Sequence, residues 1–119
     1  MKNVKDQIYA ALNEAFENVS DVYPSDWATM PAIQYAEENN YVVERTGNKE
    51  DKAQVRYRID IWNNESTSED ALKVDEAIAK LGLVRTACTD VPDPSGRKHK
   101  QMRYEGIIAM DSEIVYWNR

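Results

Sequence analysis

A chain of 119 residues is enough for one domain and hardly enough for two. Its 42% hydrophobic and 30% charged residues place it among folded globular chains rather than disordered ones. The net charge of −6 disfavours a phosphate backbone as the main partner, and no apolar run approaches the roughly 18 residues of a membrane span.

The charge is uneven. Residues 1–50 hold nine acids and four bases, residues 51–90 eight and six, and residues 91–119 four and five. The opening "MKNVKDQIYAALNEAF" lacks the apolar core and small-residue cleavage site of a secretory leader, so none is expected. Cys88 is the only cysteine. It can form no disulfide within the chain, and a reducing compartment is the default expectation.

In chain order, the spacing of Val4, Ile8, Leu12, Ala15, Phe16 and Val19 predicts a helix from about Lys2 to Asn18. "SDVYPSDWATMP" then breaks it with two prolines and Ser/Asp pairs. Tyr23 and Trp27 in that connection are expected to plug the end of the core. "AIQYAEENNYVVERT" reads as two strands, Ala32–Glu37 and Tyr41–Thr46, turning at Asn39-Asn40. "GNKEDK" follows as a polar loop holding Lys49, Glu50 and Asp51.

From Val55 the chain alternates. Val55, Tyr57, Ile59 and Ile61 face one way; Arg56, Arg58, Asp60 and Trp62 face the other. Arginine and tryptophan are enriched at interface hot spots, so the second face is read equally as a subunit contact or as a solvated surface with one Trp lying on it. Ser66 and Glu69 predict a capping box for a helix reaching about Leu81, with Ala71, Val74, Ile78 and Leu81 inward and Gly82 as its left-handed cap. "LVRTACTDV" predicts a strand, "PDPSGRKHK" a loop and "QMRYEGIIAMD" a strand in which Gly106 marks a bulge or a close backbone approach. "SEIVYWNR" predicts a short edge strand or an arm.

Two helices with one apolar stripe each can cover one face of a sheet. The expected fold is therefore α+β: a two-layer sandwich, residues 1–119 forming a single domain, with a four- to five-stranded mostly antiparallel sheet covered on one face by two helices.

The search for chemistry yields no site. His99 stands among Arg97, Lys98 and Lys100, which oppose a cation, and reads as a surface histidine in a basic loop. Cys88 in a strand, with no histidine near it in sequence, reads as a buried inert thiol. "DPSGRKHK" lacks the spacing of a phosphate loop. Glu37-Glu38 and Asp75-Glu76 read as solvated charges at a turn and on a helix's polar side. No nucleophile, base and oxyanion donors assemble, so no catalytic residue, metal or cofactor is expected. The basic segment Arg97–Arg103 reads as a solvated loop or as a contact for an acidic protein surface, with DNA a lesser option.

The strings "YPSDWATMPAIQYAEENN", "VRYRIDIWNNESTSEDALKVDEAIAKLGL" and "DPSGRKHKQMRYEGII" carry a resemblance. Along its whole length the chain resembles a family of small proteins encoded in tail-gene clusters of phages and prophages of Gram-positive bacteria. In element order that family is similar to the lambda-like tail terminator, or tail completion, proteins.

The resemblance implies a subunit that forms a ring, commonly a hexamer. Such a ring caps the tail tube, ends its polymerisation and offers a docking surface to the head-tail connector protein. It implies a virion tail location after assembly in the host cytoplasm, and neither membrane nor specific nucleic-acid binding. The candidate contacts with a neighbouring subunit or partner are then Arg56, Arg58 and Trp62 on the strand face, Lys49, Glu50 and Asp51 in one loop, and Arg97, Lys98, His99 and Lys100 in the other. Two alternatives stand beside this reading. One is a neck or head-closure protein of the same assembly. The other is a small ligand-binding or enzymatic domain using Tyr57 or Tyr104 with Arg58 or Arg103.

Overall fold

The computed structural model describes residues 1–110 and the strand formed by Val115–Tyr116. The order of elements is α1 (Lys5–Ala15), β1 (Asn18–Ser20), β2 (Ala32–Thr46), β3 (Lys49–Asn63), α2 (Ser68–Ala79), β4 (Val84–Val91), β5 (Lys98–Ala109) and β6 (Val115–Tyr116). The strands form one sheet in the order β1-β2-β3-β5-β4, with β6 also pairing β5. All pairings are antiparallel except β1 with β2. The expected α+β sandwich is what forms.

The alternation from Val55 sets the two faces. Val55, Tyr57, Ile59 and Ile61 join Ile33 and Tyr35 of β2 and Met102, Tyr104 and Ile108 of β5 in one buried cluster. Val4, Ile8, Leu12 and Phe16, with Val74 and Ile78, close it from above. Each aliphatic side chain fully buried in this way stabilises the fold by about 1.5–3 kcal/mol. Two phenols cross the layer. Tyr57 Oη accepts from the Val4 N–H at 2.9 Å and donates to Glu37 at 3.1 Å. Tyr104 Oη donates to Asp75 at 2.8 Å. Burial pushes both phenols well above the ordinary tyrosine range, and Glu37 and Asp75 push the same way, so both stay protonated.

The helices are shorter than their periodicity suggests. Phe16 leaves α1 in an extended conformation, and Val19 sits in the short β1. The capping box of α2 does not form. Thr67 is the N-cap, and Ser66 Oγ instead accepts from the Ser68 N–H at 3.1 Å. Gly82, at φ +89°, ends the helix as expected.

The larger correction concerns residues 32–46, which are one 15-residue strand rather than a hairpin. There is no turn at Asn39-Asn40; the register against β3 shifts between Glu37 and Asn39, the signature of a β-bulge at Glu38. The turn lies at Gly47-Asn48, between paired Thr46 and Lys49. Gly47 has φ +64°, which a two-residue hairpin turn needs at its first position. Asn-Asn tolerates a turn but does not compel one, and Gly47 takes the positive φ without the steric cost of a side chain. Lys49, Glu50 and Asp51 therefore belong to β3, not to a loop.

Among the remaining expectations, β5 begins at Lys98, so only residues 92–97 connect β4 to it. The β3–β5 register runs without a shift past Gly106, which opposes Val55. Cys88 is exposed on β4. Of the tail, Val115 and Tyr116 pair Ile108 and Ile107 as a short strand; its other residues lie outside the described part. No helix among the described residues is long and apolar enough to cross a membrane.

A candidate interaction face on the open side of the sheet

The second face of β3 carries no helix. Register places Arg56 opposite Glu105, Arg58 opposite Arg103, Asp60 opposite Gln101 and Trp62 opposite His99. On the β2 side Ala32, Gln34 and Ala36 oppose Trp62, Asp60 and Arg58. This face divides into an ionic half and an aromatic half.

The ionic half is centred on Glu38. Arg103 Nε donates to Glu38 Oε1 at 2.9 Å, Arg58 Nη1 reaches Oε2 at 3.4 Å, and Arg56 Nε lies 3.4 Å from Oε1. The bulge at Glu38 puts this carboxylate between the three guanidiniums. Burial acts to raise the Glu38 pKa, but Arg103, Arg58 and Arg56 together outweigh it and hold the carboxyl below its ordinary range. Arg58 also donates to Asp60 Oδ2 at 2.6 Å. The guanidiniums are more exposed than the carboxylates they hold: the Arg56 side chain is 44% exposed, those of Glu38 and Asp60 17% and 3%. What solvent meets on this half is therefore arginine.

The aromatic half adjoins it through Asp60. Asp60 Oδ1 lies 2.9 Å from His99 Nε2, and the imidazole stacks on Trp62 at 4.3 Å and 15°. Trp27 and Tyr23 pack edge-on against Trp62 at 5.7 and 5.5 Å, and against each other at 5.4 Å. Arg97 caps Trp27 with its guanidinium carbon 4.4 Å from the ring centre, a cation–π contact. Trp62 is only 4% exposed, while Tyr23 is 62% exposed. The loop carrying Tyr23 and Trp27 is tied down by Asn18, whose amide donates to the Asp26 and Thr29 carbonyls at 2.8 and 3.0 Å.

Several expectations change here. Tyr23 and Trp27 do not plug the helix-covered core; they form a separate cluster on the opposite face. Trp62 is buried beneath them rather than lying in solvent. His99 is not a surface histidine in a loop. As part of β5 it is held between Asp60 and Trp62. Glu37-Glu38 lie mid-strand, and the pleat sends Glu37 to the tyrosine of one face and Glu38 to the arginines of the other. Asp75, on α2, accepts from Tyr104 and pairs Arg85 at 3.0 Å. Neither it nor Glu38 is merely a solvated charge.

The predicted contact residues therefore separate. Arg56, Arg58, Trp62, His99 and Arg97 come together on the open face. Lys98 and Lys100 point to the other side, as the register with Asn63 and Ile61 requires, and Lys100 pairs Asp90 at 2.9 Å. Lys49, Glu50 and Asp51 stand at the far end of the hairpin, where the N-terminal amine pairs Glu50 at 2.9 Å. Sequence reasoning put Asp60 on this face without naming it a contact, and missed Glu38 and Arg103 as members. For Arg103 the alternation of its strand was a usable signal. For Glu38 none existed, because the bulge that orients it is not written in the residue pattern.

The proposed pairing of Tyr57 or Tyr104 with Arg58 or Arg103 does not form: the tyrosines oppose each other on the helix side and the arginines on the open side. Among the described residues no three His, Cys, Asp or Glu side chains gather in a metal-holding group. No family model matches this chain, and no curated protein matches it.

Proposed function

We propose that the protein is a virion structural subunit that closes into a ring on the end of a phage or prophage tail tube. The ring ends tube growth and offers its outer surface to the head-tail connector. The observation that carries this reading is the open sheet face, where arginines ride over a buried carboxylate network beside an aromatic cluster that presents Tyr23 to solvent. Such a surface suits contact with another protein: tryptophan, tyrosine and arginine are the side chains most enriched at interface hot spots. The resemblance of the three long sequence strings to phage tail-cluster proteins supplies the context.

Electron microscopy of tails assembled without the protein tests the reading. Overlong tubes lacking heads are expected. Tubes of normal length with detached heads would assign the chain to the neck instead, and unaffected particles would overturn both assignments. On the face itself, the double substitution Arg56→Glu and Arg103→Glu is expected to abolish incorporation into tails, measured by immunoblotting of purified particles.

A further inference from the structure

The sheet has two edges that no strand of the described chain pairs. On one side β1 covers β2 only at Ala32, Ile33 and Gln34. The outer edge of β2 is open from residue 36 to 46, and Tyr41, Val42 and Val43 are all exposed there. On the other side β4 pairs β5 along one edge and turns the other to solvent; six of its eight residues are exposed. An open strand edge is a template for pairing with another chain, and natural sheets blunt it with proline, charged side chains (lysine above all), bulges or a covering element. Neither edge carries proline or lysine. Bulges interrupt both, at Glu38 and Val43 of β2 and near Thr86 of β4. They leave an uninterrupted stretch on each, residues 39–42 and 87–91.

We propose that these two edges pair with each other between copies of this chain, β4 of one subunit antiparallel to the distal half of β2 in the next. Three features favour a second copy as the occupant. The first is direction: alternation through β2, β3, β5 and β4 sets β2 and β4 antiparallel, so a neighbour in the same orientation continues an antiparallel sheet. The second is position: the edges lie on opposite sides of one sheet, which makes the contact heterologous, and a heterologous contact that closes is a ring. The third is charge: the uninterrupted stretches carry almost none, residues 39–42 having no charged side chain and residues 87–91 only Asp90, so no like-charge repulsion opposes their pairing. β4 also lies lower along the sheet than the open part of β2: through β5 and β3, Val91 is level with Trp62 and Val84 with Arg56. Successive copies are therefore staggered along the strands.

This inference deepens the ring reading and rests on it, and sedimentation separates the two. Proline blocks an edge where the N–H points outward, which is true of one of two successive residues. Of Cys88→Pro and Thr89→Pro, and of Tyr41→Pro and Val42→Pro, the member that keeps the parent's circular dichroism and melting temperature is taken forward. The parent chain at millimolar concentration is expected to sediment as a closed oligomer. Each edge-blocked variant alone is expected to stay monomeric. An equal mixture of the β2-blocked and β4-blocked chains is expected to stop at a dimer, since each offers one intact edge.

Covalent capture gives a second readout. β2 and β4 are three strand spacings apart within a subunit, about 14 Å, beyond the roughly 7 Å that a disulfide can bridge. Oxidative cross-linking between Cys88 and cysteines placed singly at positions 39 to 43 must therefore be intermolecular, and a covalent dimer through at least one of them is expected. Blocked variants that assemble like the parent, or a mixture that stays monomeric, would overturn the edge pairing while leaving a ring possible by another surface. A parent chain that remains monomeric with and without purified tails would count against both.

Discussion

Three guanidiniums meet one carboxylate at Glu38, and the side chains beneath them are already partly desolvated. Glu38→Ala should leave Arg56, Arg58 and Arg103 facing one another without their shared acceptor, and is expected to lower stability by about 1–3 kcal/mol in denaturant titrations. The sign of its pH dependence follows from the direction of its pKa. Because the folded state holds the Glu38 carboxyl below its ordinary value, the stability it contributes is fully present above the usual glutamate range, near pH ~4.3. That contribution is lost as pH falls through the lower folded value. Glu38→Gln should therefore flatten the acid limb of the stability curve and leave its neutral shape intact, as thermal melts between pH 3 and 7 would record. Removing the ring beneath the aromatic cluster is costlier: Trp62→Ala is expected to lose about 3–5 kcal/mol, the range for a buried tryptophan. Arg97→Ala, which removes the cation–π contact with Trp27, should lose about 0.5–1 kcal/mol and alter tryptophan fluorescence.

The long hairpin is the element that distinguishes this sheet. A 15-residue strand spans about 50 Å, more than the layer of two short helices can cover. The proximal halves of β2 and β3 are packed, while residues 41–46 of β2 are exposed throughout. Tyr57 ties the proximal part to the helix layer through Val4 and Glu37, and Asn40 adds a 2.8 Å bond to the Lys2 carbonyl. Beyond them β3 is still paired to β5 as far as Lys52, opposite Ala109, and the Met110 N–H donates to the Asp51 carbonyl at 2.9 Å, whereas distal β2 is held only by its ladder with β3 among the described strands. Amide hydrogen exchange in the monomer should therefore divide along the hairpin. Amides of residues 33–37 that bond β3 are expected to exchange on the timescale of global unfolding, and those of residues 41–46 that do so much faster, through local opening. Assembly through the strand edges should slow the second group and leave the first unchanged. Tyr104→Phe, which deletes the bond to Asp75, should cost about 1 kcal/mol without altering this pattern.

At the scale of the whole molecule the two faces of the sheet do different work. One is spent on a hydrophobic core with the helices. The other carries an ion network centred on Glu38 and an aromatic cluster around Trp62, with no helix over it. The fold thus supports itself with one layer of helices and leaves one face and two edges uncovered among the described residues. If the open face and the edges are the contact surfaces of a ring, Arg56→Glu with Arg103→Glu and the edge-blocking prolines should behave differently. The first removes incorporation into tails, and the second removes self-association of the purified chain. Tail immunoblots and sedimentation read the two effects independently.

The sequence by itself determined the class of fold, the two amphipathic helices and the division of β3 into an apolar and a polar face. These follow from periodicity, and periodicity is local: a stripe at 3.6 or 2.0 residues has to be buried somewhere. It put Arg56, Arg58 and Trp62 on one face and left open whether that face meets a partner or only solvent, whereas the tertiary structure buries Trp62 beneath Tyr23 and Trp27. It could not place the turn of the hairpin, because Asn39-Asn40 and Gly47-Asn48 both permit one and only the pairing of Tyr41–Thr46 with β3 selects between them. Nor could it bring Glu38 to Arg103 or His99 to Trp62. Those neighbours lie 65 and 37 positions apart in the chain, and a bulge and a strand register, fixed by burial on the opposite face, decide that they meet.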